Sequence, residues 1–135
     1  MSTAKHIFCL IDDDDIYQYT ARFMLESTGL AKEIHSFFNG SDAIRYFRDQ
    51  KNITRETLPD IIFLDINMPV MNGWEFLEEY GTFYTSFPKT IAVYVVSSSV
   101  DSSDMQKSRS YKAVNDYIVK PINRKRYLEL IAELS

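Results

Sequence analysis

Residues Asp60 to Asp65 read DIIFLD, four apolar side chains in a row with an acid at each end. A strand half exposed to water alternates apolar and polar residues. A short run with no polar alternate is what a strand buried on both faces needs, and such strands belong to parallel sheets covered by helices. The polar stretch Lys51 to Pro59 before it reads as a loop. After it, Gly73 to Tyr84 has helical period, with Phe76, Leu77 and Tyr80 as its buried stripe.

The same alternation extends in both directions. Lys5 to Ile11 is an apolar strand, and Asp14 to Thr28 has Ile16, Tyr19, Phe23 and Met24 at helical spacing before Gly29 stops it. Lys32 to Phe37 is a short strand. Asn39, Gly40 and Ser41 introduce a helix through about Gln50, with Ala43, Ile44 and Phe47 on one face. Thr90 to Val96 (TIAVYVV) is the most β-branched stretch and reads as a central strand. Ser102 to Ala113 is a polar helix capped by Asp101 or Ser102, Asp116 to Val119 a short strand, and Asn123 to Leu134 the closing helix, with Tyr127, Leu128, Ile131 and Ala132 facing inward. Five strands alternating with five helices predict an α/β chain. With right-handed crossovers, this length fits a flavodoxin-like (βα)5 three-layer sandwich whose parallel five-stranded sheet has the order 2-1-3-4-5. Residues 1–135 read as one domain, with no repeat, low-complexity tract or linker.

Composition fits a folded globular chain: 45% hydrophobic and 25% charged residues. A net charge of −4 argues against direct contact with nucleic acid, which takes a basic patch. Cys9, the single cysteine, lies in an apolar run and reads as a core residue. No window approaches the ~18 apolar residues of a membrane span. Met1 to Lys5 lacks the basic-then-apolar layout of a secretory leader, so a cytoplasmic setting without membrane partners is expected. His6 and His35 have no metal-ligand spacing.

In such a sheet, ligands bind beyond the carboxyl ends of the strands near the switch point. Strand 1 ends in Asp12 to Asp15, strand 3 in Asp65, strand 4 in Ser97 to Ser99 and strand 5 in Lys120-Pro121. Strands 1 and 3 are neighbours in this order, so Asp12, Asp13 and Asp65 share a pocket. Three carboxylates together repel unless a cation neutralises them, and an all-oxygen set favours a hard cation such as magnesium. A carboxylate facing that cation can act as a nucleophile toward phosphorus. Asp14 and Asp15 read as a helix cap and a favourable first-turn charge. Lys120 can pair with Asp65 or with a phosphoryl oxygen, although a Lys-Pro pair also simply ends strands. Ser97 offers a hydroxyl that could bond a phosphoryl oxygen, although a serine after a strand is more often simply a loop residue.

Together these residues resemble a known family. Ile11-Asp12-Asp13, the stretch IIFLDINMPVMNG (Ile61 to Gly73), VVSSS (Val95 to Ser99) and YIVKPI (Tyr117 to Ile122) are similar, in order and spacing, to the receiver domain of two-component response regulators, and most of all to single-domain chemotaxis-type members. The resemblance covers essentially the whole chain. It implies Asp65 as phosphoacceptor, Asp12, Asp13, Asp65 and the Asn67 backbone carbonyl as the set holding Mg2+ (or Mn2+), Ser97 as switch hydroxyl, Tyr117 as switch aromatic and Lys120 as the lysine beside the phosphoryl group, followed by a cis bond to Pro121. Met68, Pro69 and Gly73 match the loop after strand 3. Serine stands at 97 where threonine is commoner, and Asp116 where small residues are frequent. Asn67 and Ser99 occupy the positions that tune hydrolysis.

The function so implied is a stand-alone signalling switch rather than an enzyme. A phosphohistidine on a histidine kinase or histidine phosphotransfer protein donates to Asp65, and the surface of helix 4, strand 5 and helix 5 then binds a downstream protein or a second copy, or the chain relays the group onward. The alternative within the family is a non-phosphorylated pseudo-receiver adaptor. A haloacid-dehalogenase-like phosphatase would need an aspartate where Asn67 stands. A flavodoxin-like cofactor binder would need a phosphate loop after strand 1, where the aspartates stand instead.

Overall fold

The computed structural model describes residues 5–134, so Met1 to Ala4, most of the segment read for a leader, and Ser135 lie outside the described residues. The elements run β1 (His6–Ile11), α1 (Asp15–Ser27), β2 (Ala31–Phe37), α2 (Gly40–Arg48), β3 (Ile61–Leu64), α3 (Gly73–Tyr80), β4 (Ala92–Ser97), α4 (Ser102–Arg109), β5 (Val114–Val119) and α5 (Arg124–Ala132). All strand pairs are parallel and the order is β2-β1-β3-β4-β5, as the alternation predicted. Among the described residues, no helix is long and apolar enough to cross a membrane.

The central strands alternate between two cores. Cys9, Ile11, Ile62, Leu64, Val93 and Val95 pack with α2 and α3. Phe8, Leu10, Ile61, Phe63, Tyr94 and Val96 point the other way and pack with α1 and α5. Both sets are buried because a helix layer covers each face, which is why DIIFLD carries no polar alternate. Cys9 is fully buried, and burial pushes its thiol pKa far up, so it is an inert core residue.

Several boundaries differ from the sequence reading. Helix α3 ends at Tyr80 rather than Tyr84, and Tyr84–Ser86 forms a separate 3-10 turn. Tyr84 still stacks on Tyr80, with ring centroids 5.3 Å apart, so the apolar period continues past the end of the helix. Helix α4 ends at Arg109 instead of Ala113, and Tyr111 leaves the helical path to stack on Trp74 of α3. Strand β5 begins at Val114, before Asp116. The β4–β5 register shifts between Val93 and Tyr94, and there the Asn115 side chain accepts the Val93 N–H in place of a backbone carbonyl. In α5 the buried residues are Tyr127, Leu130 and Ile131; Leu128 is half-buried and Ala132 exposed.

Helix α1 divides its faces unexpectedly for its hydrophobicity. Ile16, Tyr19 and Phe23, at helical spacing, face outward and are 79%, 73% and 65% exposed. The buried stripe is Gln18, Ala21 and Leu25. Gln18 ties α1 to the ends of β1 and β2: its Nε2 lies 3.0–3.3 Å from the carbonyls of Leu10, Asp12 and Phe37, which share its two N–H bonds, while its Oε1 is buried without a hydrogen-bond partner among the described residues.

Candidate functional site

The acidic rim forms where β1 and β3 end side by side. The Asp65 N–H donates to the Ile11 carbonyl at 2.8 Å, which extends the ladder by one bond and fixes the Asp65 backbone against β1. Gly73 closes the loop from the other side. Its N–H donates to the Ile66 carbonyl at 2.9 Å, and a Cβ there would meet the Asp65 carbonyl oxygen and stand 2.8 Å from the Ile66 Cα. Any side chain at 73 would therefore force the Asp65–Ile66 backbone to shift. Between them, Val70 takes φ 69, a left-handed backbone that a β-branched residue rarely adopts, and is 85% exposed.

Asp12, Asp13 and Asp65 each bring a carboxylate oxygen within 4.8 Å of the others, with Asp12 and Asp65 buried and Asp13 exposed. Both Asp12 oxygens are occupied. Oδ1 accepts the Asp14 N–H at 2.9 Å and Oδ2 accepts the Lys120 ammonium at 2.7 Å. Lys120 Nζ lies 3.6 Å from Asp65 Oδ1, so it bridges the two carboxylates while bonding to Asp12. Pro121 follows Lys120 through a cis peptide bond, as the resemblance implied. Asp14 caps α1, accepting the N–H groups of Ile16 and Tyr17, and Asp15 lies in the first turn, so these two aspartates form the helix start as read.

The charges are unequal. Burial first, then the Asp12 carboxylate, push Asp65 up to about 6; Lys120, and the nearby Asn67 N–H, pull the other way. Burial disfavours the Lys120 ammonium, but its hydrogen bond to Asp12 and the nearby carboxylate charges outweigh this and raise its pKa. An oxygen-only set in which Asp65 resists ionisation fits a hard divalent cation, which would remove the repulsion.

Ser97 and Tyr117 belong to the β4–β5 side. Ser97 is fully buried, its Oγ accepts the Ser99 N–H at 3.1 Å, and its carbonyl accepts the Lys120 N–H at 2.8 Å. The Tyr117 hydroxyl donates to the Ser99 carbonyl at 2.8 Å. Ser97 and Tyr117 thus meet through Ser99, and neither bonds Asp65. The Asn67 side chain is exposed.

Two contributors escaped the sequence reading. Gln18 braces the Asp12 carbonyl from behind; its signal was a polar residue three and seven positions before Ala21 and Leu25. Tyr17 lies under Lys120, with Nζ 4.1 Å from the ring centroid. The opposite rim has a cavity of about 490 Å³ lined by Tyr84, Phe87, Lys89 and Lys112, and among the described residues it has no carboxylate cluster.

The chain matches the response regulator receiver domain family over residues 8–132. Protein PilH of Pseudomonas aeruginosa is 26% identical, over 90% of this chain and 91% of its own length. A two-component response regulator from Cytophaga hutchinsonii superposes with a TM-score of 0.85 at 30% identity, covering 96% of this chain and 97% of that one. The phosphorylated cyanobacterial phytochrome response regulator RcpA does so with a TM-score of 0.75 at 28% identity, covering 97% and 91%. With the sheet order, the acidic rim and the residue spacing in agreement, the chain belongs to the response regulator receiver domain family of two-component signalling.

Proposed function

We propose that Asp65 accepts a phosphoryl group from a phosphohistidine on a histidine kinase or histidine phosphotransfer protein, and that the change is passed to the surface of α4, β5 and α5. The observation that carries this reading is the placement of Asp65: a buried carboxylate at the end of β3, 3.6 Å from Lys120 Nζ, among three acids that need a cation. Asp12, Asp13, Asp65 and the Asn67 carbonyl would hold Mg2+ or Mn2+, which supplies charge neutralisation for phosphoryl transfer.

Asp65 reacts as its carboxylate. One oxygen attacks phosphorus, a P–O bond forms, and the P–N bond of the donor breaks with its electron pair returning to the imidazole. Lys120 stands beside the receiving oxygen and stabilises the charge arriving with the phosphoryl group. The new group brings about −1.5 to −2 charge and three acceptor oxygens. Ser97, whose hydroxyl bonds only locally through Ser99, is free to turn toward it. Releasing Ser99 also loosens the Tyr117 hydroxyl, which links the site to β5 and α4. The existence of a phosphorylated form of the relative RcpA supports this reading. So does the outward stripe Ile16, Tyr19 and Phe23 on α1, with Val70 and Val100 exposed on nearby loops, an apolar border suited to a donor protein.

Beryllium fluoride with Mg2+ mimics the phosphoryl group. Its addition is expected to move the amide resonances of Ser97, Ser99, Tyr117 and the α4–β5 segment in the wild type, and to leave them in place in Asp65→Asn. Shifts confined to Asp12, Asp13 and Asp65 would remove the switch from the proposal.

A further inference from the structure

The ammonium of Lys120 is held from two directions. On one side, Asp12 Oδ2 accepts its hydrogen bond at 2.7 Å. On the other, the ring of Tyr17 lies with its centroid 4.1 Å away, well inside the ~6 Å reach of a cation–π contact. Tyr17 sits in the first turn of α1, where the Asp14 cap accepts its N–H at 3.0 Å and so sets its backbone. Its hydroxyl lies near that of Tyr127, a fully buried residue of α5 that also packs edge-on against Phe63 of β3 at 5.3 Å. The ring is therefore fixed by a capped helix start at one end and by the α5 core at the other.

We propose that Tyr17 is a positioning residue for Lys120: its ring face and the Asp12 carboxylate hold the ammonium over Asp65, where it is needed for phosphoryl transfer. This rests on the reading of Asp65 as phosphoacceptor. The two restraints differ in kind. Asp12 is also a candidate metal ligand, so its hold on the ammonium is the one a bound cation weakens. The Tyr17 face has no affinity for the carboxylates and competes with no cation ligand, so it remains when Asp12 is shared. Lysine is a flexible four-carbon stem, and without a seat its ammonium samples solvent rather than the phosphoryl site. The face of the Tyr17 ring, not its hydroxyl, is what the lysine uses.

Two readouts test this on the full chain. The first is the rate of phosphorylation by acetyl phosphate with Mg2+ for the wild type, Tyr17→Phe and Tyr17→Leu. The second is the proton shift of the Lys120 ε-methylene in the cation-free protein, which a ring face moves upfield and a loss of stability does not. Tyr17→Leu is expected to slow phosphorylation about tenfold and abolish the upfield shift, whereas Tyr17→Phe keeps the shift and stays within about threefold of wild type. A wild-type rate in Tyr17→Leu, or an equal loss in Tyr17→Phe, overturns the proposal while leaving Asp65 as acceptor. A wild type that takes up no phosphoryl group overturns the acceptor reading, and an ε-methylene shift unchanged by Tyr17→Leu still overturns the role of the ring.

Discussion

Lys120→Ala is expected to lower the rate of Asp65 phosphorylation by about 10²–10³-fold, the usual loss when one prealigned charge donor is removed from a reacting centre. Among the described residues, Lys120 is the one ammonium or guanidinium paired with Asp12 or Asp65. Its loss has two consequences that act in the same direction. The phosphoryl oxygens lose the cation that would meet their charge, and the carboxylates lose the positive charge that restrains Asp65 from rising further. Initial rates with acetyl phosphate at saturating Mg2+ separate the first from the second, because the metal relieves the carboxylate repulsion. A Lys120→Ala rate within about threefold of wild type would remove Lys120 from the chemistry. Lys120→Arg is a poor rescue, since a planar guanidinium does not fit a seat shaped by one ring face and one carboxylate oxygen.

The second large effect is on stability. Asp65 titrates near 3.8 when unperturbed and near 6 in the fold, because burial and then the Asp12 carboxylate disfavour its ionised form. A raised folded value means the folded state binds the proton more tightly than the unfolded state. Its contribution to stability is therefore fully present below about pH 3.8 and is lost as the pH rises to about 6. Asp65→Asn, which cannot ionise, escapes that loss. In the cation-free protein the variant should match wild type near pH 3.5 and exceed it by about 1–2 kcal/mol above pH 7, after allowing for solvent screening, with the difference shrinking when Mg2+ is added. Urea unfolding of both proteins across this range in chelator measures it. Equal midpoints at pH 7.5 would mean that Asp65 is not electrostatically frustrated.

The sheet was legible because the local signals agreed. DIIFLD, TIAVYVV and the N-terminal apolar run form the three central strands, and each splits between two buried faces. The rim followed from topology, since residues just past β1, β3 and β5 converge whatever their side chains. What the sequence hid were cases in which tertiary contacts override period. The Tyr80–Tyr84 stack extends an apolar rhythm past the last turn of α3. On α1 the more hydrophobic residues, Ile16, Tyr19 and Phe23, are left outside, and the stripe bearing Gln18 is inside, where its amide nitrogen donates to carbonyls at the sheet edge. Hydrophobicity alone picks the wrong face when a buried polar group is fully used as a donor. Tyr17 was illegible for a related reason: its partner, Lys120, is more than a hundred residues away in the chain, and no spacing rule links them.

The central claim is that Asp65 accepts the phosphoryl group. Intact mass measurement after incubation with acetyl phosphate and Mg2+, followed by reductive trapping of the acyl phosphate with borohydride and peptide mapping, tests it directly. One phosphoryl increment on the wild type, mapped to Asp65 and absent from Asp65→Asn and from samples in chelator, is the predicted result. An increment that persists in Asp65→Asn at wild-type yield, or a wild type that gains none, would contradict it.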